Sequence, residues 1–450
     1  MPVKARVKQK INSAVLSAAK RSEAVDTVYR RRLEERRRRA YQAQLERYPE
    51  VDSKTVVFNS FGGRGFNDSP KAIFTAMIND PAFDDWNFIW VFKPAKLRKY
   101  RRLKLLVQDR AELGLGALSE QPEKVRQLRR MTVVRHNSAR HYSALARAKY
   151  WVSNQRTLDG LEPTPQHEYI QTWHGTPFKR LGVDVAGEKV HPTRSGERLA
   201  QWYRTESQKW TYTLAQNQPA AEWLSSAFQL DQVGKSDIMN VTGYPRNDKL
   251  LTYTREDIDR IYDVLKLPRN KKIALYTPTY RDDQHTAQQS YVYQLSVDFT
   301  RWKRELGDDW IVLFRPHYLV AKDFDFASVR GFVYNVASYE DINDLFLVSD
   351  LLINDYSSTM FDYANLRRPI MFYCYDLEHY EQNLRGFYFP SSDLPGQIMA
   401  EEGEVIEQMQ QFDDYRSRYQ EDIDRFAERF AHLDDGQASR RVIDAVFTRE

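Results

Sequence analysis

Short β-rich runs that end in polar loops and lead into helical stretches recur along this chain. The segment KTVVFNSFGGRGFNDSPKAIF shows the pattern once, with a strand-like run at 55–58, a glycine-rich turn, and Asp68-Ser69-Pro70 before a helix. Four similar runs follow: NFIWVFKP, MTVVRHN, AKYWVSN and HEYIQTWHGTP. Because alternating strands and helices favour parallel sheets covered by helices, this part of the chain predicts a doubly wound α/β domain.

The same pattern then begins again. A strand ends in the turn of DIMNVTGYPRNDKL, and five more runs follow: KKIALYTPTYRDD, DWIVLFRPHY, GFVYNV, LLINDYSS and RPIMFYCYD. A chain of 450 residues is too long for one ordinary core. We therefore predict two Rossmann-like domains, at 51–240 and 241–450, that face a cleft. The amphipathic helix at 415–430 is expected to pack over the folded body. Ligands in such folds bind at the carboxyl ends of the strands.

Residues 1–50 form a basic extension. They carry fourteen Lys or Arg and six Asp or Glu, a charge of +8, so the rest of the chain sums to −3 within the overall +5. Residues 4–45 lack glycine and proline, and four apolar residues recur at helical spacing among lysines: Val7, Ile11, Val15 and Leu16. This pattern fits a helix on an anionic membrane surface, and equally a solvated helix that packs on its own protein. Nucleic-acid binding has less support, because no nucleic-acid motif accompanies the arginines.

Cysteine and histidine usage limits the chemistry. Cys374 is the only cysteine, so no intrachain disulfide forms, which fits a reducing cytoplasm. The nine histidines are scattered and no cysteine pair occurs, so nothing in the sequence resembles a zinc site. No divalent-metal site is evident from the sequence, and no tightly bound cofactor is expected. No apolar run is long enough to span a bilayer, and no signal-peptide pattern opens the chain.

Five loops that follow predicted strands carry polar side chains suited to phosphate chemistry. They are the loops at 173–176, 243–248, 277–281, 315–317 and 354–359. Any one of them could serve only as a turn or a helix cap, since Asx, Ser and Pro favour both. Their shared position at strand ends instead predicts one binding site.

Phosphoryl transfer needs cations and N–H donors on the phosphate oxygens and a base at the attacking hydroxyl. Arg281, Arg315 and His317 can supply the cations, and the helix start after Asp355 can supply N–H donors. His174 can supply the base, since imidazole titrates near neutrality. In the structural alternatives, His174 bonds only to backbone and His317 only to a carboxylate. Asp355 either caps its helix or accepts a hydroxyl of the ligand.

Six segments together resemble the CDP-glycerol glycerophosphotransferase family, the teichoic acid primases and polymerases and related capsule polymerases. They are YIQTWHGTPFKRLG, VTGYPRNDKL, LYTPTYRDD, FRPHY, LINDYSSTMFDYANLRRPIMFY and RGFYF, in the order that the family uses. The resemblance covers nearly the whole chain after the basic extension. It implies a GT-B-like arrangement of the two domains and an enzyme that acts at the inner face of the cell membrane.

The resemblance also implies roles for individual residues. His174 corresponds to the family's proposed general base, and His317, with Arg315 beside it, to the histidine that helps bind the donor pyrophosphate. Other donor-binding residues are expected at Arg281, Thr279, Asp355, Ser357 and Ser358. Supporting residues are expected at Gly175, Thr176, Arg246, Asn247, Asp248 and Arg385. Two departures stand out: Tyr318 follows His317 where a proline is usual, and Pro390 follows RGFYF where an acid is usual.

The function predicted is transfer of glycerol phosphate or ribitol phosphate from a CDP-activated donor to a hydroxyl of a lipid-linked or polymeric acceptor, with release of CMP. The expected location is the cytoplasmic face of the membrane, with the basic extension on anionic lipid. The alternatives are a GT-B glycosyltransferase that uses a nucleotide sugar, and a non-enzymatic binder of anionic polymers. The sequence does not distinguish a glycerol donor from a ribitol donor, a primase from a polymerase, or synthesis of a wall polymer from synthesis of a capsule. It also does not give the oligomeric state or the role of Lys179 and Arg180.

Overall fold

The computed structural model describes residues 23–109, 122–185, 196–279, 297–316, 326–381 and 386–448. A first parallel sheet has the order β3-β2-β1-β4-β5-β6-β7. Its strands are β1 (Asp52–Asn59), β2 (Asn87–Phe92), β3 (Met131–Arg135), β4 (Ala148–Ser153), β5 (Glu168–Gln171), β6 (Tyr212–Ala215) and β7 (Met239–Val241). Its helices are α1 (Glu23–Arg47), α2 (Asp68–Asn79), α3 (Pro94–Asp109), α4 (Pro122–Arg130), α5 (Ala139–Arg147), α6 (Gly196–Ser207) and α7 (Gln218–Ala227).

A second parallel sheet has the order β10-β9-β8-β11-β12-β13. Its strands are β8 (Lys272–Tyr276), β9 (Trp310–Phe314), β10 (Val333–Asn335), β11 (Leu351–Asn354), β12 (Ile370–Tyr373) and β13 (Ile398–Met399). The later helices are α8 (Asp248–Thr252), α9 (Arg255–Leu265), α10 (Phe299–Leu306), α11 (Ile342–Val348), α12 (Thr359–Tyr363), α13 (Leu377–His379), α14 (Glu402–Gln410), α15 (Phe412–Phe430) and α16 (Ala438–Val446). The predicted α/β class with two parallel sheets is confirmed. Of the strands that the structure describes, β6 and β13 are not predicted from the sequence.

The central strands of both sheets are largely buried on both faces, which explains why they read as continuous apolar runs. Strand order reverses between β1 and β4 in the first sheet and between β8 and β11 in the second. A crevice opens at such a reversal, outside the carboxyl ends of the strands. The loops after these strands are therefore the ones that the topology places at a ligand site.

The two ends of the described chain pack on the first sheet's side of the molecule. Helix α1 lies against α5, and Tyr41 is buried with its ring 6.2 Å from that of Trp151. Helix α16 packs on α2 and places Val442 and Ile443 in the core around β1. The last helix therefore returns from the second sheet to the first. The apolar stripe predicted around Val7 lies outside the described residues.

The loop after β5 pairs with a segment from the second sheet's side. An antiparallel bridge joins Lys179 to Phe387, with Arg180 N donating to the Gly386 oxygen at 3.1 Å and Tyr388 N to the Phe178 oxygen at 2.9 Å. The Phe178 and Phe387 rings stack at 4.1 Å. Stacked aromatic rings and paired backbone groups thus hold the two halves together here.

Candidate functional site

A cleft of about 1090 Å³ lies between the carboxyl ends of the two sheets. Residues from both halves line it, including seven of the predicted site residues: His174, Gly175, Thr176, Thr279, Arg315, Ser357 and Ser358. Three other predicted site residues, Arg281, His317 and Arg385, lie outside the described residues. The cleft is large enough for a nucleotide-sized ligand.

His174 is half-buried at the start of the loop after β5, and its ring has a fixed orientation. Its Nδ1 lies 2.8 Å from the main-chain oxygen of Asn154, which follows β4. A carbonyl oxygen only accepts, so Nδ1 carries the proton and the neutral ring keeps its lone pair on Nε2. The Trp173 ring, 4.1 Å away, and the Phe61 ring, 5.8 Å away, flank the imidazole.

Burial lowers the pKa of His174, partly opposed by the Asn154 carbonyl and by the carboxylate of Asp68. The guanidinium of Arg246 lowers the pKa further. A histidine with a lowered pKa is neutral at neutral pH, and its Nε2 can accept a proton. The ring therefore has the protonation state that a general base needs.

Asp355 ties together two loops of the second sheet. One carboxylate oxygen accepts from Thr279 N at 2.8 Å, and the other accepts from Thr279 Oγ1 and from Tyr356 N, both at 2.5 Å. Asp355 is almost fully buried and does not line the cleft. These contacts indicate a role beyond the two considered from sequence, in which the Asp355 carboxylate orients the loop that presents Ser357 and Ser358.

Arg315 follows β9 and reaches along the wall of the cleft. Its Nη1 donates to the main-chain oxygens of Val336 at 3.2 Å and Tyr339 at 2.8 Å. Burial lowers its pKa, but an arginine remains cationic at any physiological pH. The guanidinium is thus held in one place by the loop between β10 and α11.

The two halves approach each other closely at Gly175 and Ser358. A Cβ at Gly175 would lie 2.8 Å from the Ser358 Oγ and 3.4 Å from the Arg246 Nη2. The φ of Gly175 is +154°, a value that residues with a side chain rarely adopt. Glycine therefore allows the His174 loop to approach the serine loop of the other sheet.

Arg246 and Asn247 belong to a buried polar network beneath the cleft. Arg246 binds Asp362 through Nη2 at 2.7 Å and 3.0 Å and Asp68 through Nη1 at 3.2 Å. Asn247 donates to Asp362 at 2.9 Å and to Asp434 at 2.7 Å. Burial raises the pKa of Asp362, and Arg246 opposes this rise. The network joins the start of α2 to α12 of the other half.

Asp434 extends the network toward the His174 loop. Thr176 donates to Gln216 at 2.6 Å, and Gln216 donates to Asp434 at 2.7 Å. Burial raises the pKa of Asp434 to about 6, although donors such as Asn247 and Asn365 favour its charged form. Asp248 has a different role, since its carboxylate accepts from Ala438 N and Ser439 N, at 2.9 Å and 2.8 Å, at the start of α16.

Lys179 and Arg180 flank the bridge described above. The Lys179 Nζ lies 5.7 Å from the centre of the Tyr380 ring, and the Arg180 guanidinium lies 5.7 Å from that of Tyr388. Both are cation–π distances, and Lys179 also lines the cleft. The two cations therefore contact aromatic residues of the opposite half.

Sequence reasoning missed three residues of the site. Asn154 ends the run AKYWVSN and carried the same signal as the other loops, a polar residue just after a strand. The sequence indicates Asp68 only as a residue at the start of a helix, and its contact with Arg246, 178 residues away, has no local signal. Glu340, in a loop that sequence analysis did not single out, accepts hydrogen bonds across the cleft from α3. Among the described residues, no group of three or more His, Cys, Asp or Glu side chains is placed to hold a metal ion.

Comparison with known proteins gives a consistent result. Residues 40–448 match the family model for CDP-glycerol:poly(glycerophosphate) glycerophosphotransferase. The chain is 37% identical over 399 residues to a teichoic acid poly(glycerol phosphate) polymerase of Staphylococcus epidermidis, covering 88% of this chain and 51% of that protein. It is 35% identical over 396 residues to a teichoic acid glycerol-phosphate transferase of Staphylococcus aureus, covering 87% of this chain and 92% of that protein.

A solved structure of the wall teichoic acid polymerase TagF superposes with a TM-score of 0.77 at 35% identity and covers 94% of each chain. The chain spans about half the length of the first of these relatives, the Staphylococcus epidermidis polymerase. The family model nevertheless matches nearly all of the chain, including both sheets and the cleft between them. The chain therefore belongs to the CDP-glycerol:poly(glycerophosphate) glycerophosphotransferase family.

Proposed function

We propose that this protein transfers glycerol phosphate from CDP-glycerol to a hydroxyl of a lipid-linked or polymeric acceptor and releases CMP. Membership of the family supports the donor class and the reaction type. The two relatives compared above carry glycerol phosphate in their names, which favours glycerol over ribitol as the polyol. The observation that carries the proposal is the hydrogen bond from His174 Nδ1 to Asn154, because it leaves the basic Nε2 in a cleft shared by both halves.

In the proposed reaction, the acceptor hydroxyl oxygen attacks the β-phosphorus of the donor. A new P–O bond forms, and the bond from that phosphorus to the oxygen bridging to the α-phosphate breaks. CMP leaves with the electron pair, and the hydroxyl proton passes to His174 Nε2. Such a base typically contributes about 10²- to 10⁴-fold to the rate.

The donor is proposed to bind against the second sheet. Arg315 would neutralise the pyrophosphate, and the hydroxyls of Ser357 and Ser358 would donate to its oxygens. Arg281 and His317 remain predicted donor-binding residues, and Arg385 remains a predicted supporting residue. Asp355 would act indirectly by holding Thr279 and the serine loop in register.

The enzyme is proposed to act at the cytoplasmic face of the membrane, where a lipid-linked acceptor would be anchored. No helix in the described part of the chain is both long and apolar enough to cross a bilayer. Exposed arginines of α1, such as Arg31, Arg32 and Arg36, offer a cationic surface to anionic lipid. The product would be a teichoic acid or capsule-type polymer of the cell envelope.

The proposal is tested by incubating the purified protein with a lipid-linked acceptor analogue and either CDP-glycerol or CDP-ribitol, and measuring CMP and product length. We expect CMP release with CDP-glycerol, and a loss of at least about 100-fold in kcat for His174→Asn. The matched control is His432→Asn, since His432 is exposed on a different part of the surface. This control should keep wild-type kcat.

Three outcomes would contradict the proposal. Release of CMP only from CDP-ribitol would show that the transferred group is ribitol phosphate and not glycerol phosphate. Release of a nucleoside diphosphate from a nucleotide sugar would indicate a glycosyltransferase. Wild-type turnover in the His174→Asn variant would show that His174 is not the general base.

A further inference from the structure

The loop between β10 and α11, residues 336–341, contacts both walls of the cleft. Its main-chain oxygens at Val336 and Tyr339 hold the guanidinium of Arg315, as described above. Its next residue, Glu340, extends in the other direction, toward the first sheet's side. One short loop therefore carries a donor-side cation and a contact to the opposite half.

The Glu340 carboxylate accepts hydrogen bonds from four residues of the first half. It accepts from three side chains of α3, namely Lys96 Nζ at 2.7 Å, Lys99 Nζ at 3.3 Å and Tyr100 OH at 3.1 Å. It also accepts from Phe66 N at 2.9 Å, and the main-chain oxygen of Glu340 accepts from Asn67 Nδ2 at 2.7 Å. Burial raises the pKa of Glu340, but Lys96 and Lys99 lower it by more, so the group is ionised.

The contacts continue from Glu340 to the proposed base. Phe66 and Asn67 follow the glycine-rich turn, and the first residue of that turn, Phe61, donates its N–H to the Asn154 side chain at 2.8 Å. The Asn154 main-chain oxygen accepts from His174 Nδ1. Beside Glu340, Asp341 binds Lys71 of α2 at 3.1 Å.

We propose that Glu340 is a positioning residue that fixes the width and register of the cleft, so that Arg315 on the donor side faces His174 on the acceptor side. The expected effect on kcat rests on the proposed function, whereas the expected effect on the arrangement of the two halves does not. Glu340 acts through its loop and through α3, and it needs no contact with the substrate. Charge-assisted hydrogen bonds of this kind are strong enough to select one arrangement of two packed bodies.

The kinetic test compares Glu340→Ala and Glu340→Gln with wild type, using CDP-glycerol and a lipid-linked acceptor analogue. A misplacement of about 1 Å between reacting groups can cost about 100-fold in rate, so we expect kcat to fall about 100-fold for Glu340→Ala. Glu340→Gln keeps an acceptor oxygen and should lose about tenfold. The dissociation constant for CMP alone, which would contact only the donor side, should change less than about threefold.

A double-mutant cycle separates positioning from a general loss of structure. Tyr100→Phe removes one hydroxyl that donates to Glu340, at a residue that does not line the cleft. If the two residues act as a unit, the Tyr100→Phe/Glu340→Gln variant should be no slower than Glu340→Gln alone. The matched control is Asp263→Ala, which removes an exposed carboxylate that binds Arg269 within the second half. This control should keep wild-type kcat.

A second readout needs no turnover. Two spin labels are attached through Asp84→Cys and Glu421→Cys, at exposed positions on opposite halves. The native cysteine is removed by Cys374→Ser. We expect Glu340→Ala to broaden or shift the distance distribution between the labels, and Asp263→Ala to leave it unchanged. An unchanged distribution in Glu340→Ala, wild-type kcat in that variant, or additive effects in the cycle would each overturn the inference. Absence of CMP release by wild type would instead contradict the proposed function, and the label distances would still decide the role of Glu340.

Discussion

His174 donates a hydrogen bond from Nδ1 to the main-chain oxygen of Asn154 at 2.8 Å, which fixes the tautomer of the ring. Only the Asn154 backbone takes part in this bond. The Asn154 side chain has a separate partner, the N–H of Phe61 in the glycine-rich turn. One residue after β4 therefore orients both the imidazole and the turn beside it.

The pH dependence of turnover should reflect the lowered pKa of His174. Protonation of Nε2 removes the lone pair, so activity is lost as the pH falls through this pKa. Because burial lowers the pKa, the acidic limb of kcat/KM should have its midpoint below the ordinary histidine value of about 6.5. The measurement is initial CMP release between about pH 4.5 and 8, a range chosen around that value.

Asp68→Asn provides an internal check on this pH profile. The Asp68 carboxylate raises the pKa of His174, so its neutralisation should move the acidic limb to still lower pH. A midpoint at or above the ordinary value in wild type, or a shift to higher pH in Asp68→Asn, would contradict the assignment of the limb to His174.

Gly175→Ala should impair turnover more than stability. The added Cβ would lie 2.8 Å from the Ser358 hydroxyl, so the serine must rotate or the two loops must separate. A displacement of this size predicts a loss on the order of 10- to 100-fold in kcat/KM. Gly403→Ala is the control, because the nearest atom to its Cβ would be Arg301 Nη2 at 3.6 Å. Equal activity of the two variants would show that the close approach is unimportant.

Asp362→Ala should destabilise the fold strongly. It removes the bidentate partner of the buried Arg246 and leaves that guanidinium with Asp68, at a typical cost of about 3–5 kcal/mol. Thermal unfolding or urea titration measures the change. Asp424→Ala breaks the exposed pair with Arg367 and should cost at most about 1 kcal/mol. A similar small effect at Asp362 would mean that the network contributes little.

The exposed arginines of α1 should promote binding to anionic lipid. Replacing Arg31, Arg32 and Arg36 with Gln should weaken binding to phosphatidylglycerol vesicles about 100-fold, at about 1 kcal/mol for each residue. Sedimentation with the vesicles measures this, and added salt should reduce the wild-type affinity. The matched control replaces Arg416, Arg418 and Arg425, which are exposed on α15. Equal loss in both sets would indicate non-specific attraction.

Tyr41→Ala separates the two interpretations of the basic extension. Tyr41 is buried against Trp151, so its removal should lower stability by about 3 kcal/mol. The arginine replacements should leave the melting temperature unchanged, since those side chains point to solvent. Loss of stability in Tyr41→Ala together with lost vesicle binding in the arginine variant would show that one face of the helix packs on the protein and the other binds lipid. Unchanged stability in Tyr41→Ala would contradict the packing role.

Much of the fold could be predicted from sequence because each strand carries a local signal. The runs at β2, β9 and β12 are apolar and rich in β-branched or aromatic residues, and a polar loop follows each of them. The strand β13 has only two residues, Ile398 and Met399, and is too short for a pattern to appear. The four residues of β6 were likewise not recognised as a strand.

The candidate site was predictable only as a set of loops. Strand ends pointed to His174 and Arg315, because polar residues after buried strands gather at one edge of a parallel sheet. The contact between Arg246 and Asp362 joins residues 116 positions apart, and that between Glu340 and Lys96 joins residues 244 apart. Such pairs depend on how the two sheets pack, for which a single sequence contains no local signal.

The return of α16 to the first sheet has a consequence for how the chain is made. Val442 and Ile443 complete the core around β1, and Asp248 holds the start of their helix. A nascent chain emerges from the ribosome in order, so this core stays incomplete until residues 438–447 have been synthesised. The first body therefore cannot reach its final stability as an independent early unit, and the apolar residues of α2 that pack against α16 should need protection during translation.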